Sequence, residues 1–228
     1  MILRTYMLCL EPEHPLRFSA DELRAFLTTK MAEYTARHRD DPGGFIHRYP
    51  VLQCKQVKTG LVVIGIGQGA GCLFQSAHDQ PVLGSGESTC RITARDPAIR
   101  SEPFGVTDTR VTYEFLTPWL ALNQQHAKKF YDLNGKLQRD AFMHKLLASQ
   151  LHTLAKSLDY KTAVPISCET KVRFRRDRIG RENVMVFLGK FSTTLTIPDY
   201  LGIGFSVSQG YGTIKRITES SDTYPGYP

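Results

Sequence analysis

The sequence predicts an α+β chain of two ferredoxin-like (RRM-like) units in tandem, and three observations carry this. The first half orders as strand, helix, strand, strand and further strand material. The second half orders as strand, helix, helix, strand, strand, with a terminal strand. Between them, Arg95-Asp-Pro to Glu102-Pro-Phe-Gly105 is turn-rich, which sets the units at 1–105 and 106–228. At 228 residues the chain has room for two domains of roughly 100 residues each.

Ile2–Leu10 is apolar enough for a strand buried on both faces, and it ends at Glu11-Pro12. A helix start follows: Ser19 is placed as N-cap, Glu22 completes a capping box, and Phe18 can staple onto Leu23. Leu23, Phe26, Leu27, Met31 and Tyr34 form its apolar stripe, and Asp40-Asp-Pro-Gly-Gly44 stops it around 37–39. Lys30, Tyr34 and His38 recur every fourth residue and so share one helix face. Two strands follow, 45–57 and 61–66, joined by Lys58-Thr-Gly60 as a hairpin.

Gly65-Ile-Gly-Gln-Gly-Ala70 fits the G-x-G-x-x-A dinucleotide fingerprint. That reading also needs a parallel strand ending in an acidic residue about 20 positions on. A short helix to about Ala77 is expected instead, and then loop material from Asp79 to Ser88, with no strand for Glu87 to terminate. A nucleotide-dependent enzyme built on Gly65–Ala70 is therefore the weakest of the functional readings.

In the second half, Thr109–Leu116 alternates as a strand. Asn123 caps a short helix ending at Asn134-Gly135, and a long helix runs to Leu158. Its expected inner face is Leu137, Ala141, Leu147, Leu151, Leu154 and Leu158. His144 and His152 stand eight apart, the wrong step for a His-x-x-x-His metal pair. In the next strand Lys171, Arg173 and Arg175 alternate with apolar residues on one face, and Arg176, Arg178 and Arg181 surround the Asp177–Gly180 turn. Val184–Leu188 returns as the partner strand. Six cations from 171 to 181 against Asp177 and Glu182 exceed what a charged sheet edge needs, and they fit a phosphate-tracking surface.

Composition agrees without deciding. The net charge is +7 and the pI about 9.2, which suits a polyanionic partner. The five cysteines are scattered, with no C-x-x-C pair, and this predicts a reducing cytoplasm rather than a disulfide framework. No apolar run approaches the ~18 residues of a membrane span.

Near the end, Leu201-Gly-Ile-Gly-Phe-Ser-Val-Ser-Gln-Gly-Tyr-Gly-Thr-Ile-Lys-Arg216 places Gly202, Gly204, Gly210 and Gly212 around a polar centre and runs into a basic strand. Glycine admits positive φ and close approach of a polyphosphate, and Lys215 and Arg216 add cationic donors. This stretch resembles the C-terminal glycine-rich loop of the RAMP superfamily, the CRISPR repeat-processing endoribonucleases in particular. His47-Arg-Tyr-Pro-x-x-Gln-x-Lys55, with its turn and glycine-bearing strand, is similar to the N-terminal domain of the "b" subgroup. That subgroup commonly has tyrosine where this chain has Cys54, and two closely spaced histidines where this chain has only His38 before His47.

The resemblance covers nearly the whole chain. It implies cleavage of CRISPR repeat RNA (pre-crRNA) without metal or other cofactor, by attack of a ribose 2′-OH on the adjacent phosphate. Such chemistry needs a base, an acid and a cation for the phosphorane charge, and histidine suits the first two roles because it titrates near neutrality. The resemblance puts the histidine at the end of the first helix, so His38 is the leading general base or acid. Lys30 is the charge stabiliser, His47 and Tyr49 complete the set, and His14 is a lesser candidate. Arg48, Lys171, Arg173, Arg175, Arg176, Arg178, the four glycines, Lys215 and Arg216 are the expected RNA contacts. Neither central strand carries the aromatic signature of a base-stacking RRM, so a stem and its backbone are the expected target. The partners expected beside the RNA are an interference complex and a second copy of the chain, with no membrane. The rival reading from another class is a catalytically inactive RNA-binding subunit of a CRISPR complex.

Overall fold

The computed structural model describes residues 1–13, 20–37, 49–58, 60–78, 81–96, 98–179 and 182–217. The first sheet is antiparallel and contains β1 (Ile2–Pro12), β2 (Leu52–Val57), β3 (Gly60–Ile66), β4 (Val82–Ser85), β5 (Ser88–Arg95) and β6 (Arg100–Pro103). Its strand order is β2-β3-β1-β5-β4, and β6 pairs with the Ile2–Thr5 end of β1. Helices α1 (Ala20–Arg37) and α2 (Gln68–His78) cover one face, where Tyr6, Leu8, Leu23, Leu27, Val63 and Leu73 form a buried cluster. The proposed cap at Ser19 and staple from Phe18 lie outside the described residues.

The second sheet holds β7 (Gly105–Phe115), β8 (Cys168–Ile179), β9 (Glu182–Thr196) and β10 (Ile214–Arg216) in the order β10-β7-β9-β8. Helices α3 (Gln124–Asp132) and α4 (Lys136–Ser157) cross between β7 and β8. The return from β9 to β10 carries no second long helix. It carries the glycine-rich stretch with a single 3-10 turn, Val207–Gln209. Both sheets thus have the ferredoxin-like order, with the last strand beside the first.

The two units are joined by a shared core. Leu3, Ile64 and Ile66 of the first sheet belong to the same buried cluster as Tyr113, Trp119, Phe187 and Leu151 of the second unit. This explains β3, which is buried along both faces: one side meets the helices, the other meets the second unit.

Three local expectations are corrected. Residues 82–88, expected as loop, belong to the β4–β5 hairpin, with Gly86-Glu87 as its turn. Gly84 and Gly86, which read as loop residues, both take positive φ here. The boundary region contains β6, and β7 begins at Gly105 rather than Thr109, with an irregular register between Val106 and Val111. On α4, Leu137 is 86% exposed and Ala141 is exposed as well. The expected Leu147, Leu151, Leu154 and Leu158 are buried, joined by Met143, Leu146 and Ala155, so the inward face begins at Met143 and leaves the first turns of the helix largely exposed. Gly65 and Gly69, in the fingerprint that the sequence already argued against, pack closely on protein backbone. A Cβ on Gly65 would collide with the Gly69 carbonyl, and one on Gly69 with the Val51 carbonyl, while β3 has only antiparallel neighbours.

Candidate nucleic-acid interface

The basic strand β8 pairs with β9 without interruption from Cys168 to Ile179. Alternation therefore holds along its length: Lys171, Arg173 and Arg175 share one face, and Val172, Phe174, Arg176 and Arg178 share the other. The four cations from 171 to 176, Lys171, Arg173, Arg175 and Arg176, are exposed together with Arg178, and among the described residues Arg175 pairs with an acid, Asp177, at 3.1 Å.

Register reveals a row that the linear sequence does not. Lys171 faces Lys190 on β9, Lys190 faces Glu114 on β7, and Glu114 faces Lys215 on β10. Directly opposed residues lie on the same face, so three exposed lysines and one glutamate span all four strands, about 14 Å at the usual strand spacing. Lys171 and Lys190 are like charges in direct opposition, an arrangement that costs stability and that a bound polyanion relieves. Lys190 was not among the expected contacts, because its place beside Lys171 depends on register alone.

Arg216 is not on this face. It is the neighbour of Lys215, so it points to the other side, where its guanidinium lies 5.9 Å from the centre of the Tyr113 ring. Its backbone N–H donates to Asp199.

The glycine-rich stretch sits in the seam between the units. The Tyr49 hydroxyl donates to the Gly202 carbonyl at 2.8 Å and accepts from the Gly202 N–H at 3.1 Å. Gln53 Oε1 accepts from the same N–H, and Lys55 Nζ donates to the Val207 carbonyl at 3.2 Å. Gln53 and Lys55 are fully buried. Thr117 and Thr213 both donate to the Gly210 carbonyl, which closes the loop from the other side.

The glycines are needed for these contacts. Gly210 has φ +92°, and a Cβ there would stand 2.9 Å from the Cys54 carbonyl oxygen. Gly212 has φ +63°, and its Cβ would overlap the Ile203 carbonyl. A Cβ on Gly204 would stand 2.6 Å from the Leu120 carbonyl oxygen, and one on Gly202 would press on Val207 and Lys55. Gly202, Gly210 and Gly212 are buried. The close approach that the missing Cβ atoms permit is to protein: backbone at Gly204, Gly210 and Gly212, and the Val207 and Lys55 side chains at Gly202.

Tyr49, expected in the catalytic set, has a buried phenol whose single proton is donated to Gly202, and desolvation holds its pKa well above the ordinary tyrosine range. In this arrangement it anchors the loop. Tyr49 and Pro50 also line a groove of about 280 Å³ between the loop and α4, together with Gln150, Gly204, Phe205 and His126. His14, His38, His47 and Arg48 lie outside the described residues.

Lys30 lies on α1, partly exposed, with Nζ 3.0 Å from Glu33 Oε2 and 5.6 Å from the Phe26 ring centre. Such a surface pair is weak and leaves the ammonium other donors for a phosphate. Tyr34, one turn on, packs close to Gly71 of α2. His144 approaches the Thr170 carbonyl and His152 accepts from the Ile166 N–H, so each has a structural bond of its own.

Comparison with known proteins agrees with this architecture. Family models for the Cas6b N-terminal domain and the Cas6b C-terminal domain match residues 1–102 and 105–217. A crystal structure of Cas6b is 25% identical, with a TM-score of 0.74 over 95% of this chain and 100% of that one. The crystal structure of a CRISPR RNA processing endoribonuclease, Cas6b, is 24% identical, with a TM-score of 0.71 over the same shares. An uncharacterized protein of Methanocaldococcus jannaschii is 29% identical over 128 residues, which is 53% of this chain and 82% of that protein. With the two domain models matching one after the other along nearly its whole length, the chain belongs to the Cas6b family.

Proposed function

We propose that the chain is an endoribonuclease that cleaves CRISPR repeat RNA to give mature crRNA, acting in the cytoplasm through two units, 1–105 and 106–228. The observation that carries the substrate class is the exposed row Lys171–Lys190–Glu114–Lys215, continued along β8 by Arg173 and Arg175. Its like-charged neighbours favour a backbone of closely spaced phosphates over a single small anion.

The chemistry is in-line transfer without a metal. The 2′-oxygen forms a bond to phosphorus as its proton passes to a base. The bond from phosphorus to the 5′-oxygen breaks as an acid protonates that oxygen, leaving a cyclic phosphate and a free 5′-OH. His38 and His47 take the proton-transfer roles, and Lys30 balances the charge of the phosphorane. Arg48 and the β8–β9 hairpin hold the RNA.

The test is single-turnover cleavage of repeat RNA in EDTA, with dissociation constants measured beside the rates. His38→Ala is expected to lose roughly 10²- to 10⁴-fold in rate with nearly unchanged binding. Lys30→Ala should lose both rate and some affinity, because an ammonium also attracts the ground-state phosphate. Wild-type rates for His38→Ala would move the role to His47 or His14. Tight binding with no cleavage by the wild-type protein would make the chain an RNA-binding subunit.

A further inference from the structure

A second groove, of about 610 Å³, lies on the opposite face of β8, between that strand and the α3–α4 turn. Phe174 projects into it and is 50% exposed, the one half-exposed aromatic of the described part of this sheet. Its ring is held in place from behind, 5.6 Å from Phe130 in an edge-to-face arrangement and 6.3 Å from Phe187. Lys136, Arg139 and Arg173 ring the groove against a single acid, Asp140. Arg139 is itself fixed, with Nε donating to the Leu133 carbonyl at 3.2 Å and its guanidinium 5.4 Å from the Phe130 ring centre.

Position supplies the occupant. β8 is the edge strand of its sheet, so nothing among the described residues separates this groove from the basic face on the other side. Arg173 belongs to both: its place in the alternation is on the basic face, and it lines the groove. A strand of RNA leaving the lysine row has only to pass over the β8 edge to reach Phe174. An exposed, braced aromatic ring with cations at its rim matches a nucleobase joined to its phosphate. It does not match a protein helix, which offers no regular negative charge to three cations.

We propose that this groove takes an unpaired nucleotide flanking the stem of the bound RNA, its base stacked on Phe174 and its phosphate between Lys136 and Arg173. The proposal rests on the RNA-binding reading above, and the two can fail separately.

The experiment measures the affinity of the full chain for a repeat stem–loop alone and for the same stem–loop carrying a short oligo-uridine tail at its 5′ or its 3′ end. One tailed RNA should bind wild type more tightly than the bare stem. Phe174→Leu keeps the apolar contact with Phe130 but removes the π face, and it should erase that advantage, about tenfold to a hundredfold, without touching stem affinity. Phe174→Trp should retain it, and an abasic tail should bind Phe174→Leu and wild type alike. The proposal is overturned if tails add nothing for wild type, which leaves the groove to a protein partner, or if Phe174→Leu keeps the full advantage. Failure of wild type to bind even the bare stem would overturn the RNA reading itself, and this proposal with it.

Discussion

The glycine-rich stretch and the β8–β9 hairpin read alike in the sequence, as two halves of one phosphate-binding surface, yet they occupy opposite environments. The hairpin keeps its cations at the surface, arranged by register into a row across four strands. The glycine stretch is folded inward, its backbone clasped by Tyr49, Gln53 and Lys55 from the first unit. A glycine permits close approach without saying what approaches, and here it is another stretch of protein backbone. A run of exposed lysines is less ambiguous, because burying them is costly and solvent is their default. Lys55 shows the exception, a lysine fully buried in the seam, and it marks the clasp as a place where stability is strained.

The largest effect is expected at the clasp. Gly212→Ala puts a Cβ into the Ile203 carbonyl at a positive φ, and should cost about 3 kcal/mol or more, read as a shift of the urea midpoint. The same variant, where folded, should bind RNA with wild-type affinity. Normal stability together with lost affinity would return the loop to the RNA surface.

Lys55→Met tests the buried cation. Desolvation brings the Lys55 pKa from 10.5 down to about 7. Between these values the unfolded chain holds a proton that the folded chain has released, so the lysine penalises folding more as pH falls through that window. Below about 7 both states are protonated and the penalty is constant; above 10.5 it vanishes. Wild-type stability should therefore rise with pH across the window, by at most about 1.4 kcal/mol per unit from this group. Lys55→Met should lose that rise, so its gain over wild type is greatest at the acid end. Parallel pH profiles for the two proteins would contradict the assignment.

A smaller effect is expected from Tyr49→Phe, which removes both bonds to Gly202 and leaves that carbonyl buried without its donor. The cost should be about 1–3 kcal/mol in stability, with the single-turnover rate at saturating RNA unchanged. A rate loss beyond tenfold in the folded variant would restore a chemical role to the phenol.

Much of this organisation was legible in the sequence. The order of the principal elements, the Asn123 cap, whose side chain accepts from the His126 N–H, and the alternation of cations along β8 all depend on local rules and appear as expected. What was not legible depended on partners distant in sequence. Lys190 joins the row only through strand register, and Arg216 leaves it because one residue-step reverses the face. The inner face of α4 was misjudged at Leu137 and Ala141, since apolar residues at helical spacing do not say where the sheet lies. Tyr49 belongs to a motif that suggested chemistry, but its partner, Gly202, is 153 residues away.

The most direct test of the contrast is the salt dependence of repeat-RNA binding by a Lys171→Ala, Lys190→Ala, Lys215→Ala triple variant. Each phosphate contact releases counterions, so losing three should reduce the slope of log affinity against log salt by about three, with stability equal to wild type or slightly above it once the opposed Lys171 and Lys190 are gone. A wild-type slope in this variant would show that the RNA lies elsewhere and would contradict the account.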